Sequence, residues 1–192
     1  NAKKIKWTRG LIAHLARDRK GTFDAAKIGK AAYRPFCQSW IYYDQQFNEY
    51  FKEKLYPSAH HKNLVIIVPG PGEDRPFSAL VTNALPNLHL LHGGQCFPLH
   101  WYEKAGEQVA QAGLSFDEPA GHAEVDGFVR KDGITDVALA NFRKQYGDAA
   151  ITKEAIFYYC YGVLHSPEYR EHYAADLKKV LPRVPYAADF KA

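Results

Sequence analysis

Four residues that can ligate a metal lie close together near the middle of the chain. They are three histidines and a cysteine within twelve positions, and neutral imidazole with thiolate is the ligand chemistry of zinc. Their spacing does not match the short ligand pairs of a compact zinc knuckle, and an alternating strand would turn the first histidine outward. We therefore predict no metal site from this cluster: His89, His92, Cys96 and His100.

Signatures of other reaction classes are absent from the sequence. A P-loop needs a glycine-rich turn followed by Lys and Ser or Thr, but Gly70 and Gly72 alternate with prolines, which remove the N–H donors that would hold a phosphate. Neither the motifs of an amino-methyltransferase nor a Gly-x-Ser-x-Gly nucleophile elbow occurs. The sequence predicts no catalytic residue and no cofactor in this chain.

Composition indicates a folded protein of one domain, or of one domain with an arm. The chain has 192 residues, of which 46% are hydrophobic and 14% aromatic, enough apolar surface for a core. The longest strongly apolar run, Leu64 to Val68, is far shorter than the roughly 20 residues of a membrane span. The three cysteines are widely spaced and odd in number, which favours a reducing cytoplasm over a disulfide scaffold.

The sequence contains no methionine and begins with Asn1-Ala2. We interpret the chain as a processed protein or a piece of a longer one, with Asn1-Ala2 as residue from a cleaved tag.

Positive charge is concentrated at the start of the chain. Residues 1–36 hold ten basic and two acidic side chains, a net of +8, whereas the whole chain carries +4. A basic arm on an acidic body favours contact with a polyanion. A solvated linker or helix face is the alternative on charge alone.

The first third of the chain predicts two short helices, a strand and a third helix. Thr8 caps the first, which ends near Gly21, and the second covers residues 24–32 and ends at Arg34-Pro35. Residues 40–43 form an aromatic strand. Asp44 then caps a helix that ends at Pro57.

Residues 60–102 predict short strands that form a small sheet. The runs are 64–68, 79–82, 88–91 and 97–102, separated by Pro, Gly and Asn breaks. Residues 103–133, with seven acidic and three basic side chains, predict an exposed loop.

Three helices follow, capped by Thr135, Thr152 and Ser166. The fold prediction is therefore α+β: a small antiparallel or mixed sheet at about residues 38–102, packed with a C-terminal helical bundle, plus an N-terminal basic helical arm. We divide the chain into an arm or linker (1–36), a main domain (37–185) and a tail (186–192).

One arginine beside the predicted strand has two interpretations. Arg34 could bind a phosphate or carboxylate with two parallel hydrogen bonds. It could instead stack on Tyr33 or Trp40 and fix the turn.

Four stretches in order resemble one protein family. The first is Tyr33-Arg34-Pro35-Phe36, followed by the aromatic strand and Asp44. The second runs from Leu88-His89-Leu90-Leu91 to Gln95-Cys96-Phe97-Pro98-Leu99, and the third is Asp132-Gly133-Ile134-Thr135-Asp136. The fourth runs from Ile151-Thr152-Lys153-Glu154 through Phe157-Tyr158-Tyr159 and Gly162 to Leu164-His165-Ser166-Pro167 and Tyr169-Arg170. From about Lys6 to Pro185, apart from the acidic loop, the chain resembles the C-terminal specificity region of single-polypeptide (Type ISP) restriction-modification enzymes.

The resemblance implies a target recognition domain within a longer enzyme. Such an enzyme carries a nuclease, a helicase-like ATPase and a methyltransferase that makes N6-methyladenine, and it uses S-adenosylmethionine, ATP and Mg²⁺. The implied partners are double-stranded DNA and the methyltransferase and helicase-like domains of the same parent chain, in the cytoplasm, with no membrane. The motif residues are mostly apolar, so we expect them to maintain the fold.

The implied function turns polar side chains on loops into candidate DNA contacts. Arg, Lys, Asn and Gln read base edges in the major groove, and basic groups hold phosphates. For base readout we select turns between strands and the start of a predicted helix: Lys62, Arg75, Asn83, Gln45, Gln46 and Asn48. For phosphates or interdomain docking we select cations of the arm: Arg9, Arg17, Arg19, Lys20 and Arg34.

Two other functions stay open at this stage. The chain could be a structural module that holds the methyltransferase and helicase or nuclease domains together without reading bases. It could also be an enzyme whose site the sequence does not reveal. A concave basic surface with projecting polar side chains would favour recognition, and a large apolar patch would favour docking.

Overall fold

The computed structural model describes residues 8–49, 51–87, 90–91, 93–105 and 124–191. Within these ranges the fold is α+β, as predicted, with three small sheets and helices at both ends. The helices are α1 (Arg9–Ala16), α2 (Asp136–Tyr146), α3 (Lys153–His165), α4 (Pro167–His172) and α5 (Ala174–Leu177), with a short 3-10 helix at Ala25–Lys27. The strands are β1 (Ile28–Arg34), β2 (Cys37–Tyr42), β3 (Val65–Val68), β4 (Leu80–Thr82), β5 (Leu85–Pro86), β6 (Gln95–Pro98), β7 (His100–Lys104), β8 (Glu124–Val125) and β9 (Phe128–Asp132).

Helix α1 begins where the sequence predicts. The Thr8 hydroxyl accepts a hydrogen bond from the Leu11 amide at 3.2 Å, which satisfies one of the free N–H groups of the first turn. The helix ends at Ala16 rather than near Gly21 and buries none of its residues. Ile12 and Leu15 remain more than half exposed.

The helix predicted at residues 24–32 is wrong. Asp24 does cap the following residues, accepting from the Ala26 amide at 2.9 Å, but only one 3-10 turn forms. From Ile28 the chain becomes β1, the central strand of sheet A, antiparallel to β2 and parallel to β5. Burial of Ala31 and Ala32 between these neighbours outweighs the helical preference of the segment.

The helix predicted after Asp44 is also wrong in the described residues. Asp44 caps a turn instead: its carboxylate accepts from the Gln46 amide at 2.7 Å, and its carbonyl accepts from the Phe47 and Asn48 amides. Two apolar residues of the segment still face inward, because Phe51 and Leu55 pack against the core around Tyr43 and Tyr56, whereas Phe47 is 42% exposed.

Strand β3 lies at the centre of sheet B, antiparallel to β4 and β6. All four of its residues are buried, and alternate side chains enter different cores. Val65 and Ile67 pack in the core with Tyr43, Tyr56 and the buried alanines of sheet A. Ile66 and Val68 pack in the core with residues of the helices: Phe157, Leu164 and Tyr169.

The stretch predicted as a loop at 103–133 contributes to sheet C, so that prediction is wrong at both ends. Strand β7 extends to Lys104 and pairs with β9, and β9 also pairs with β8. Residues 106–123 lie outside the described residues. Of the strand predicted at 88–91, only Leu90 and Leu91 are described, and both lie in a bend.

The C-terminal helices confirm most of the sequence prediction. The hydroxyls of Thr135 and Thr152 cap α2 and α3, and the buried face of α3 carries Ile156, Phe157 and Leu164. The third predicted helix is divided into α4 and α5 at Tyr173. Residues 186–191 fold back on this region, where Tyr186 and Phe190 pack against Phe142.

The proposed division of the chain can be placed on this architecture. The arm boundary at residue 36 falls in the turn between β1 and β2, whose residues pair from Ile28↔Tyr42 to Arg34↔Cys37. The division concerns the organisation of a longer protein, and it stays a prediction.

Polar joints connect the sheets. The Asn63 side chain is buried, donates to the carbonyls of Leu55 (3.0 Å) and His100 (2.6 Å), and accepts from the His100 amide (3.2 Å). At the end of β9, the Lys153 ammonium lies 2.8 Å from Asp132 and 2.6 Å from Asp136. Burial works against the charged form of Lys153, but the hydrogen bonds to both carboxylates outweigh it and raise its pKa.

We expect Asn63→Ala to lower the free energy of unfolding by roughly 2 to 4 kcal/mol, because it leaves buried backbone groups without partners. Urea unfolding should show a lower midpoint with an unchanged m-value. Asn83→Ala removes the same side chain from an exposed position and should change stability by less than about 0.5 kcal/mol. Equal effects of the two substitutions would contradict the role given to Asn63.

Candidate nucleic-acid interface

Seven of the eleven residues selected from the sequence line three surface grooves. The arm groove, of about 680 Å³, lies between α1 and the turn after β2 and contains Arg19, Gln45, Gln46 and Asn48. The hairpin groove, of about 640 Å³, contains Arg34 and Arg75. The histidine groove, of about 360 Å³, contains Lys62. The remaining four selected residues, Arg9, Arg17, Lys20 and Asn83, lie outside these grooves on exposed positions.

The arm groove is shaped by the turn at Asp44. The Lys27 ammonium donates to the Asp44 carboxylate at 2.6 Å, a hydrogen bond that lowers the pKa of Asp44 and raises the pKa of Lys27. The Asn48 amide donates to the carbonyls of Tyr42 and Asp44, both at 2.8 Å. Asn48 therefore builds the turn with the donor that a base contact would use.

The two glutamines of the arm groove differ from each other in their contacts. The Gln46 amide donates to the Arg19 carbonyl at 3.4 Å, which ties the turn to the arm. Gln45 is exposed. Arg9 joins the two segments from the other end, because its backbone amide donates to Glu49 at 3.1 Å. Arm and turn thus present Gln45 and the Arg19 guanidinium on one surface.

The hairpin groove brings together two arginines from distant parts of the sequence. Arg75 has a side chain that is 75% exposed, and its Nε lies 3.8 Å from the Glu73 carboxylate. Arg34 lines the same groove, but its guanidinium is turned back on its own strand. It lies 4.4 Å from the centre of the Tyr33 ring and donates to the Tyr33 carbonyl at 3.0 Å, which is the stacked arrangement considered from the sequence.

The loop that carries Arg75 is anchored at its base. The Gly72 amide donates to the Lys178 carbonyl, just beyond α5, at 2.9 Å. Gly70 lies so close to the Gly93 carbonyl that a Cβ atom there would be 2.9 Å from the oxygen. These contacts fix both sides of the Pro69–Gly72 turn and so limit where Arg75 can reach.

The histidine groove combines cations with one exposed and one partly buried imidazole. Lys62 and Arg130 line it together with His60, His61 and Asp126. The His61 Nδ1 lies 2.8 Å from the Ser58 hydroxyl. Burial lowers the pKa of His61, and the Asp126 carboxylate only partly offsets this.

Arg130 is the residue of this surface that the sequence analysis missed. It lies on β9, in a stretch predicted to be an acidic loop. The local signal for a strand there is only the aromatic and β-branched pair Phe128-Val129, because the next three residues are charged.

Neither a metal centre nor a membrane span is found in the part of the chain that the structure describes. No group of three or more His, Cys, Asp or Glu side chains there could hold a metal ion. Of the four potential ligands in the sequence, His89 and His92 lie outside the described residues. No described helix is both long and apolar enough to cross a bilayer.

Comparison with known families gives a match over the full chain. The family model described as the Type ISP C-terminal specificity domain matches residues 1–192. No curated protein matches the chain.

Solved structures of DNA-bound proteins have the same fold. The chain is similar to part of the protein in the cryoEM structure of a DrdV–DNA complex, with 33% identity, a TM-score of 0.81 and 97% of this chain covered. It is similar to part of the ATP-dependent Type ISP restriction-modification enzyme LlaBIII bound to DNA, with 25% identity, a TM-score of 0.75 and 97% covered. It is also similar to part of a nuclease-deletion mutant of the Type ISP enzyme LlaGI in complex with a DNA substrate mimic, with 30% identity, a TM-score of 0.67 and 93% covered. The chain spans only 16%, 11% and 14% of those three chains.

The lowered histidine pKa values predict a pH dependence of stability. Burial also lowers the pKa of His100, as does the positive charge of Arg130, against the opposing effect of Asp132. The unfolded chain therefore binds protons more readily than the folded protein. We expect the free energy of unfolding to be highest above pH 6.5, the ordinary histidine value, and to fall as the pH drops through the lower folded pKa values.

Substitution of His61 should reduce this dependence. Urea unfolding of His61→Asn, measured between about pH 7 and about pH 5, should give a flatter pH profile than the unsubstituted chain. His172→Asn is the matched control, because His172 is exposed on α4. A His61→Asn profile parallel to that of the unsubstituted chain would contradict this prediction.

Proposed function

The chain belongs to the Type ISP C-terminal specificity domain family, and on this basis we propose that it reads the sequence of double-stranded DNA for a longer restriction-modification enzyme. One observation carries the proposal: 97% of the chain superposes on part of a DNA-bound protein, with a TM-score of 0.81 and 33% identity. In this proposal the chain itself catalyses no reaction. Methylation of adenine at N6 and cleavage are carried out by other parts of the longer protein.

The contacts of the selected residues in the grooves support different roles for them. Base edges in the major groove are recognised by side chains that can place donors and acceptors on them. Arg75 and Gln45 suit this role because both are exposed on turns and line grooves, and Lys62 and Asn83 are further exposed candidates. We assign Asn48 and Gln46 to shaping the turn, since their amides already donate to backbone carbonyls.

The arm supports contact with the DNA backbone. Arg9, Arg17, Arg19 and Lys20 are exposed, and cations that neutralise phosphates release counterions whatever the base sequence. Within the part of the chain that the structure describes, their one ion pair is weakly placed: Asp18 lies 3.9 Å from Lys20, and both side chains are more than 80% exposed. Such a contact contributes little free energy and would give way to a phosphate.

The cofactors and the other partners that we propose are those of the longer protein. It would use S-adenosylmethionine, ATP and Mg²⁺ in its methyltransferase and helicase-like domains, and it would act in the cytoplasm. This chain would contact those domains as well as DNA.

A structural docking role is the second candidate, and one surface favours it. An apolar groove of about 410 Å³ is lined by aromatic side chains of the first two strands and the turns beside them, including Phe23, Trp40 and Phe47. Phe23 and Trp40 are about 70% exposed. Exposed apolar surface of this kind is typical of a protein interface, so in this second candidate the groove would be the contact with a neighbouring domain, and the chain would not read bases.

In the full-length protein, we expect Arg75→Ala to change or abolish the choice of methylated site. Loss of a bidentate base contact costs roughly 1 to 3 kcal/mol of discrimination, while cofactor binding should stay intact. Sequencing of methylated positions in cells that express the variant measures this. Arg183→Ala, which removes an exposed arginine from the segment after α5, is the control, and unchanged methylation of the native site by Arg75→Ala would remove Arg75 from the readout.

For Arg17→Ala and Lys20→Ala we expect weaker binding to all duplex sequences. Each lost phosphate contact should reduce the slope of log K against log salt concentration by about 1. Fluorescence anisotropy of the full-length protein with specific and scrambled duplexes, at several salt concentrations, tests this. A loss confined to the specific duplex would show that these cations read sequence.

A further inference from the structure

Phe36 is displayed on the surface without burial. It occupies the two-residue turn Pro35–Phe36, between the paired residues Arg34 and Cys37 that end β1 and β2. Its exposure of 98% is the highest among the large hydrophobic residues that the structure describes as exposed. A phenyl ring in this position contributes nothing to a core and exposes its whole apolar area to water.

The backbone at Phe36 is strained as well. Its φ is +62°, in the left-handed region where a Cβ atom crowds the following carbonyl and where glycine or asparagine is favoured. Glycine would give this turn the same path without that cost. Phe36 is therefore an aromatic residue at a position where solvent exposure favours a polar side chain and the backbone conformation favours glycine or asparagine. Residues with such strained backbones concentrate at functional sites.

A stiff support lies behind the turn. Strand β1 is paired on both sides, with β2 from Ile28↔Tyr42 to Arg34↔Cys37 and with β5 at Ala31 and Ala32. Both alanines are buried in the core. The hairpin can therefore keep its conformation when the Phe36 ring contacts another molecule.

Two exposed cations, Lys30 and Arg34, lie on the hairpin that carries Phe36. Lys27, just before β1, is paired with Asp44 at 2.6 Å, and Glu73 lines the same groove as Arg34. The Lys30 ammonium lies 3.9 Å from the centre of the Trp40 ring, and the Arg34 guanidinium 4.4 Å from that of Tyr33. These contacts hold two cations beside the hairpin without neutralising them, so the charge suits a polyanion.

We propose that Phe36 is a wedge that inserts its ring into a base step of duplex DNA, while Arg34 and Lys30 hold the flanking phosphates. This inference rests on the proposed function and adds a positioning residue to it. Proteins that deform a duplex commonly unstack a base step with an apolar side chain and recover the cost through additional contacts. The ring needs no hydrogen bonds, so Phe36 would fix the position of the duplex without selecting a base.

The test uses the full-length protein and a duplex that carries the site found by methylation mapping. Successive positions of the duplex are replaced by 2-aminopurine, whose fluorescence rises when it is unstacked. The methylated adenine and the bases stacked on it are left out, because a methyltransferase unstacks its own target base. The variants are Phe36→Gly, Phe36→Ala and Phe36→Trp. Tyr158→Ala, which removes an exposed aromatic ring from α3, is the control.

For the unsubstituted protein we expect a fluorescence rise at one step or two adjacent steps. Phe36→Gly and Phe36→Ala should abolish the rise and weaken binding roughly 5- to 100-fold, the range found when an aromatic ring that stacks on a base is removed. Phe36→Trp should retain both signals. Phe36→Gly should also leave the thermal midpoint unchanged or raise it, because glycine accepts a φ of +62°; a purely structural residue would not combine weaker binding with equal or higher stability.

Two outcomes would overturn the wedge and leave the proposed function standing. One is specific binding by the unsubstituted protein without any fluorescence rise; if Phe36→Gly then also binds more weakly, Phe36 contacts a protein domain instead. The other is a rise that persists in Phe36→Gly. Failure of the unsubstituted protein to distinguish its site from a scrambled duplex would instead overturn the proposed function.

Discussion

Burial of β3 on both faces is the constraint on which the rest of the fold depends. Val65, Ile66, Ile67 and Val68 are between 0% and 3% exposed, and alternate side chains belong to two different cores. One short strand therefore connects the sheets of the N-terminal half with the helices of the C-terminal half. A shift of one residue in its pairing would exchange the side chains between the two cores, so the alternation also fixes the register of β4 and β6.

Polar joints add directional contacts to the apolar packing of the two cores. Apolar packing is not directional, whereas Asn63 and the Lys153 ion pairs set defined distances between sheets B and C and helix α3. Gly133 makes a third joint, since its amide donates to the Leu99 carbonyl at 2.8 Å and no Cβ atom would fit against the Pro98 carbonyl. Two of these joints use residues of the motif Asp132–Asp136, which agrees with a role of that motif in the fold rather than in reading DNA.

Local signals in the sequence predicted those elements that local interactions decide. The threonine caps of α1, α2 and α3, the apolar run of β3 and the turn after Val68 are all readable from a few neighbouring residues. Residues 28–34 and 128–132 could not be assigned in this way, because each forms the central strand of its sheet and pairs with a distant strand as well as with its hairpin neighbour: β1 pairs with β5 at Leu85, and β9 pairs with β7 at His100. For the same reason the sequence supplied the candidate residues singly, and only the fold places Arg34 beside Arg75, or Gln45 beside Arg19.

The hydrogen bond from Gly72 to Lys178 joins the loop that carries Arg75 to the end of the helical region, more than a hundred residues later in sequence. The loop and the end of α5 would therefore have to be exchanged together. A graft of this loop onto a related protein, made to alter its specificity, would need to include the end of α5, because the Gly72 amide would otherwise lose its hydrogen-bond acceptor. Recombination between natural relatives would face the same requirement.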